Sequence, residues 1–303
     1  MNIVAIIPAR MGSSRFPGKP LARLHGAPML GHVYSRTRLN SRLSGVYIAT
    51  CDDEIRAYAR SIGAACVMTS SAHLRASDRT AEAAGIIERT SGPIDAVVMV
   101  QGDEPMLVPS MIDEAILPLA GDPAVQVVNL MAPIGPDDAA DPNEVKVAVD
   151  RRSNALYFSR HPLPWQNGST STPVFKQVCV IPFRRAFLST FAALEPTPLE
   201  QAESIDMLRA LEHGYAVRMA RTSHVTCSVD TPADLDHVSR LMGSDPVLSL
   251  PGGVSCPTVP DGESSSPRRT PARASIATAA RSSTAAATPS LRVPLSASKR
   301  MTF

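Results

Sequence analysis

Short apolar runs alternate with amphipathic stretches through the first half of the chain. Residues 2–8 (NIVAIIP), 45–50 (GVYIAT), 65–68 (ACVM), 95–100 (DAVVMV) and 125–131 (VQVVNLM) are β-branched and almost continuously apolar. Strands covered on both faces need such runs. Helical patterns fill the gaps, at 28–43, 53–62, 78–89 and 110–119. Strand, helix, strand at spacings of about 20–30 residues predicts right-handed crossovers and a parallel sheet. The first half therefore reads as a doubly wound, Rossmann-like α/β fold with a mostly parallel sheet.

The second half reads differently. Runs at 144–149 and 155–159 predict an antiparallel pair joined through 150–154. Helices are expected at 184–194 and 198–213, and a strand at 216–220. Pro162, Pro164, Pro173, Pro182, Pro196 and Pro198 punctuate this half and favour loops that carry a pocket. From residue 243 onward the pattern dissolves into Pro, Ser, Ala, Thr and Arg. Such a segment buries too little apolar area to offset its ordering entropy, so 243–303 is expected to be a disordered tail beside one catalytic domain, 1–242.

Charge changes the picture once it is divided at that boundary. The chain has 303 residues and a formal net charge of +2. The tail carries seven basic and three acidic side chains, which leaves the body with 23 basic and 25 acidic groups, a net −2. A slightly acidic body argues against a nucleic-acid surface. No run approaches the roughly 18 apolar residues of a membrane span, and the N-terminus has no basic n-region or cleavage site, so a cytoplasmic location is expected. The five cysteines, Cys51, Cys66, Cys179, Cys227 and Cys256, are scattered without CxxC spacing. They signal neither a disulfide framework nor a zinc site.

Ligands of such sheets bind beyond the carboxyl ends of the strands. After the first run comes PARMGSSRFPGKPL, residues 8–21. Its glycines and lysine stand at the wrong offsets for a dinucleotide loop or a P-loop. It does supply Arg10, Arg15 and Lys19, the hydroxyls of Ser13 and Ser14, and several backbone amides, Ala9 among them, all suited to a triphosphate. After the DAVVMV run comes QGDEP, which sets Asp103 at the sheet edge, where a carboxylate can hold Mg²⁺. Asp230, in VDTP before the last helical stretch, is by local pattern either a helix N-cap or a second carboxylate of the site.

These motifs resemble the 3-deoxy-manno-octulosonate (KDO) cytidylyltransferase family. Beside the 8–21 segment, HLRASDR (73–79), QGDEP (101–105), DPNEVK (141–146), ALYFSR with PW (155–160, 164–165) and SVDTPADL (228–235) match in order, over roughly residues 2–242. The resemblance implies a nucleotide-diphospho-sugar-transferase-like fold and a homodimer. It also implies transfer of CMP from CTP to a small anionic acceptor, with Mg²⁺ as cofactor and pyrophosphate as the leaving product. It assigns Arg10, Arg15, Lys19 and Asp103 to catalysis, and makes Asp103 and Asp230 the metal ligands. Ala9, Ser13, Ser14, Ser77, Arg79, Gln101 and Arg160 then contact nucleotide or acceptor, and Lys176, from a segment outside the family pattern, is added as an acceptor contact. Asp78 and His73 lie in the same matched segment.

One segment departs from the family pattern. Where KDO enzymes carry a His-x-Gly-x-Tyr strand, this chain has KQVCVIPF at 176–183. Loss of two hydrogen-bonding side chains, with Lys176 and Gln177 added, suits a smaller and more densely charged acid. The sequence therefore puts a phosphonate acceptor such as phosphonoformate first, as in the phosphonoformate cytidylyltransferases of phosphonate antibiotic biosynthesis, and KDO second. A nicotinamide dehydrogenase is excluded by the absence of GxGxxG after any strand. A non-catalytic nucleotide-binding module would have no need of the full set Arg10, Arg15, Lys19, Asp103 and Asp230.

Overall fold

A computed structural model describes residues 1–13, 15–166 and 172–244, all within one compact unit, Met1–Val259. In chain order the first half contains β1 (Ile3–Pro8), the two-residue strands β2 (Arg23–Leu24) and β3 (Ala27–Pro28), α1 (Met29–Arg38), β4 (Gly45–Thr50), α2 (Asp53–Ser61), β5 (Ala65–Met68), α3 (Ala76–Ser91), β6 (Ala96–Val100) and α4 (Pro109–Gly121). The second half contains β7 (Val128–Ile134), α5 (Pro136–Ala140), β8 (Lys146–Val149), β9 (Ala155–Ser159), β10 (Val174–Val178), β11 (Val180–Arg184), α6 (Arg185–Ala193), α7 (Pro198–Glu203), α8 (Asp206–Glu212), β12 (Arg218–Arg221) and α9 (Pro232–Met242).

The continuous apolar run of β1 is explained by burial on both faces. Ile3, Ala5 and Ile7 pack into a core with Leu30 and Val33 of α1 and Ile112 of α4. Val4 and Ile6 point the other way, toward Ala83, Ala84 and Ile87 of α3. Each fully buried Ile contributes about 1.5–3 kcal/mol, so register here is fixed by both layers at once. The strand pairs in parallel with β4 and β6, and β4 pairs in parallel with β5.

Two expectations are corrected. The fifth apolar run does form a strand, shifted to Val128–Ile134, but β7 leaves the parallel sheet. It lies in a second sheet of order β12-β7-β10-β8-β9, while the first sheet has the order β11-β6-β1-β4-β5. The place beside β6 is taken by antiparallel β11, from the second half of the chain. Periodicity names a strand and says nothing about its neighbour. The segment 176–183, set against a single strand of the family, spans two: β10 belongs to the second sheet and β11 to the first, with Cys179 at the crossing. The Gln101 amide donates to the Cys179 carbonyl at 3.0 Å, so the crossing is fastened to the end of β6.

The helix expected at 198–213 also breaks. Ser204 adopts φ 56°, ψ 47°, and separates α7 from α8. The antiparallel pair β8–β9 around residues 150–154 forms as expected. The expected tail lies outside the described residues beyond Ser244. Among the described residues no helix is long and apolar enough to cross a membrane, and Cys51, Cys66, Cys179 and Cys227 are free thiols.

Candidate active site

The loop after β1 turns back on itself at Gly18, whose φ of 74° is costly for any side-chain-bearing residue. The Gly18 amide donates to the Met11 carbonyl at 3.1 Å, and the Met11 amide to Asp52 Oδ2 at 2.7 Å. The closed loop returns Lys19 to the carboxyl ends of the strands. There its Nζ donates to Asp103 Oδ2 at 2.8 Å and to Asp230 Oδ1 at 3.1 Å. Burial pulls the Lys19 pKa down, but the two carboxylates outweigh it and hold the ammonium above its ordinary value.

The two carboxylates come from distant elements and are joined through the backbone. The Val229 amide donates to the Asp103 carbonyl at 2.9 Å, which sets the start of VDTP against the QGDEP turn. The alternative left open for Asp230 is resolved by its neighbours. Thr231 caps α9: its Oγ1 accepts from the Asp234 amide at 3.2 Å, and Asp234 Oδ2 accepts from the Thr231 and Asp230 amides. With the cap provided by Thr231, the Asp230 side chain is free to face Lys19 and Arg15. Arg15 Nη2 reaches Asp230 Oδ1 at 3.1 Å, and Nη1 donates to Asn143 Oδ1.

Two adjoining cavities meet at this cluster. One, of about 370 Å³, is lined by Ala9, Arg10, Ser13, Arg15, Lys19, His73, Arg79, Gln101, Asp103 and Asp230. The other, of about 160 Å³, lies between the two sheets and is lined by Asn143, Glu144, Arg160, Gln177, Cys179 and Asp206, among others. Arg15, Gln101, Asp103, Ser204 and Asp230 line both. The two cavities therefore adjoin at the two carboxylates.

Some predicted residues lie elsewhere, and Arg79 and His73, though they line the larger cavity, are held by protein partners. Ser14 is outside the described residues. Ser77 is buried and lines neither cavity; its Oγ donates to Asp206 Oδ2 at 2.6 Å and so holds a residue that does. Burial raises the Asp206 pKa, against the opposing pull of that hydrogen bond. Arg79 Nη1 donates to Thr69 Oγ1 at 2.5 Å, Asp78 pairs with Arg209 at 3.1 Å, and His73 with Glu82 at 2.5 Å. Lys176 is 6% exposed and lines neither cavity. Its Nζ donates to Glu144 Oε1 at 2.8 Å and to the Thr226 carbonyl at 2.9 Å. Gln177 does face the smaller cavity, with its Nε2 donating to Asn129 Oδ1 at 2.6 Å.

Sequence reasoning missed Asn143, Glu144, Ser204, Asp206 and Glu104. The first two stand inside the DPNEVK motif and could have been singled out. Ser204 and Asp206 sit within what reads as one continuous helix, and only the break turns them inward. Glu104 is 4% exposed. Burial first, then the charges of Asp103 and Glu144, pushes its pKa up to about 8, against the attraction of Lys176.

The cytidylyltransferase family profile matches residues 4–221. A curated relative from Geobacter metallireducens, named 3-deoxy-manno-octulosonate cytidylyltransferase, is 44% identical over 250 residues, covering 78% of this chain and 96% of the relative. One from Geobacter sulfurreducens, of the same name, is 46% identical, with 78% and 98% covered. The chain belongs to the KDO cytidylyltransferase family. A solved CMP:2-keto-3-deoxy-manno-octonic acid synthetase complexed with CTP is 36% identical and superposes with a TM-score of 0.73, over 80% of this chain and 99% of that one. As a cytidylyltransferase the chain is a nucleotidyltransferase, and its two cavities sharing one wall suit a reaction that joins two substrates.

Proposed function

We propose that this cytidylyltransferase transfers CMP from CTP to a KDO-type sugar acid. The observation that carries the acceptor is the wall of the smaller cavity. Asp103, Glu104, Glu144, Asp206 and Asp230 line it against only two cations, Arg15 and Arg160. Carboxyl groups hydrogen-bond to hydroxyls whether ionised or, like Glu104, protonated near neutral pH, and the ionised ones repel a compact polyanion. Lys176, the cation that made a phosphonate attractive from sequence, is occupied by Glu144 and Thr226. The relatives' names favour the same acceptor.

The larger cavity suits the triphosphate of CTP, since it gathers Arg10, Arg15, Lys19, Ser13 and the loop amides. In-line displacement at the α-phosphorus then asks mainly for positioning and charge neutralisation. Arg10, Arg15 and Lys19 hold the β and γ phosphates that leave as pyrophosphate. Arg160 faces the acid of the acceptor, whose own hydroxyl attacks, so no protein nucleophile is required.

The pair Asp103 and Asp230 fits Mg²⁺. Both carboxylates already converge on a single cation, the Lys19 ammonium. Among the described residues no cluster of three or more His, Cys, Asp or Glu groups could hold a metal unaided. That suits a Mg²⁺ held by one or two carboxylates plus substrate phosphates. When bound, the ion would neutralise phosphate charge and polarise the α-phosphate. The homodimer implied by the resemblance would use edge strand β9, where Leu156 is turned to solvent.

The test is pyrophosphate release from CTP and Mg²⁺ with KDO, 8-amino-KDO or phosphonoformate. The expected result is turnover with a sugar acid at least about tenfold above phosphonoformate, within the discrimination a hydrogen-bonding pocket supplies. Efficient turnover of phosphonoformate alone would overturn the acceptor assignment.

A further inference from the structure

The chain has 26 arginines and four lysines. In such a composition arginine is the default cation, and a buried lysine marks a place where a guanidinium does not serve. Of the three lysines within the described residues, Lys19 lines the larger cavity and the other two bond to Glu144 of the smaller one. Lys19 bridges the two carboxylates. Lys146 and Lys176 are direct register partners across the β10–β8 pair, a juxtaposition of like charges that needs compensation.

Glu144 supplies it from two sides. Lys176 holds its carboxylate, and Lys146 holds its main chain. The Lys146 side chain is 0% exposed. Its Nζ donates to the carbonyls of Asp141 at 2.8 Å, Glu144 at 2.7 Å and Arg160 at 2.5 Å. An ammonium has three donors arranged about one atom, so it satisfies three converging carbonyls at once. A guanidinium can also serve three carbonyls, as Arg184 does, but from donors spread over a plane and not from one atom. Those three carbonyls belong to two loops: the 141–144 turn ahead of β8 and the chain leaving β9.

Both loops line the smaller cavity, through Asn143, Glu144 and Arg160. Asn143 also accepts from Arg15 of the phosphate-facing loop. Arg160 is fastened in turn, its Nη1 to the Pro142 carbonyl at 2.9 Å and its Nε to the Glu203 carbonyl at 2.8 Å.

We propose that Lys146 is a positioning residue for the transfer reaction: by gathering three carbonyls it fixes the acceptor-side wall, Asn143, Glu144 and Arg160, against Arg15 at the triphosphate. The proposal rests on the reading of the smaller cavity as the acceptor site. Lys146 touches no substrate. It acts through distance, and a displacement of about 1 Å in such a wall can cost about 10²-fold in rate.

The experiment compares full-length wild type with Lys146→Met and Lys146→Arg. Steady-state pyrophosphate release gives separate KM values for CTP and KDO, and amide hydrogen exchange reports the 141–145 and 160–161 segments. Lys146→Met is expected to raise the KM for KDO at least tenfold, leave that for CTP within about twofold, and speed exchange in those two segments alone. Lys146→Arg keeps the charge and should retain the fold with a smaller rise, so it carries the test if the Met variant does not fold. CTP and KDO constants rising together, or unchanged exchange in both segments, would overturn the proposal. Faster exchange in the variants beside a wild type inert toward KDO would uphold the positioning role and refute the acceptor reading instead.

Discussion

Asp103 and Asp230 share one ammonium although each is carried by a different element, and this makes them the sharpest single-residue test. Asp103→Asn keeps the shape and removes one of the two charges proposed to hold Mg²⁺. A loss of about 10²-fold or more in kcat is expected, the scale seen when one preorganised electrostatic group is removed. Mg²⁺-dependent pyrophosphate release checks it, and full activity would refute the metal assignment. Thr231→Ala tests the cap that frees Asp230: about 1 kcal/mol of stability should be lost, read from the urea midpoint.

Glu104 gives a pH prediction at the same scale. Its carboxyl, ordinarily near 4.5, titrates at about 8 in the fold. Between those values the folded protein keeps a proton that the unfolded chain releases, so this group lowers stability as pH rises through that window. Glu104→Gln removes the contribution. Thermal unfolding without nucleotide should show little difference between variant and wild type near pH 5 and a clear advantage for Gln at pH 8.5.

At the scale of elements, the two features that shape the smaller cavity are interruptions. Cys179 lets one apolar run serve two sheets, and the break at Ser204 turns Ser204 and Asp206 toward the cavity. Ser204 has the left-handed conformation that β-branched residues avoid. Ser204→Val is therefore expected to cost about 1–2 kcal/mol and to weaken KDO turnover, while Ser204→Gly stays near wild type in the urea midpoint. The parallel strands were legible because β1, β4, β5 and β6 are short apolar runs, buried on both faces in the central β1 and β6. The interruptions were not, because Val178 and Val180 on either side of Cys179 are equally apolar, and the helix flanking Ser204 keeps its amphipathic pattern.

At the scale of the whole molecule, the profile match ends at residue 221 and α9 at Met242. About 78% of the chain already covers 96–98% of the relatives named above. Truncation after Ser244 is accordingly expected to leave kcat/KM for both substrates within about twofold, and a larger fall would give residues 245–303 a part in catalysis.

The sequence by itself determined the loop and the strand-end carboxylate on which the proposed nucleotide site rests. A contiguous loop places Arg10, Ser13, Arg15 and Lys19 within ten residues of one another, and strand ends announce Asp103, so local order carries that chemistry. The surroundings of the proposed acceptor cavity were decided only in three dimensions. Lys176 looked like a free cation until Glu144 and Thr226 were found on it, and Asp230 could be a cap until Thr231 took that role. Whether a charge faces a ligand or another side chain depends on partners brought together by sheet order, and sheet order is not written in the period of any one strand.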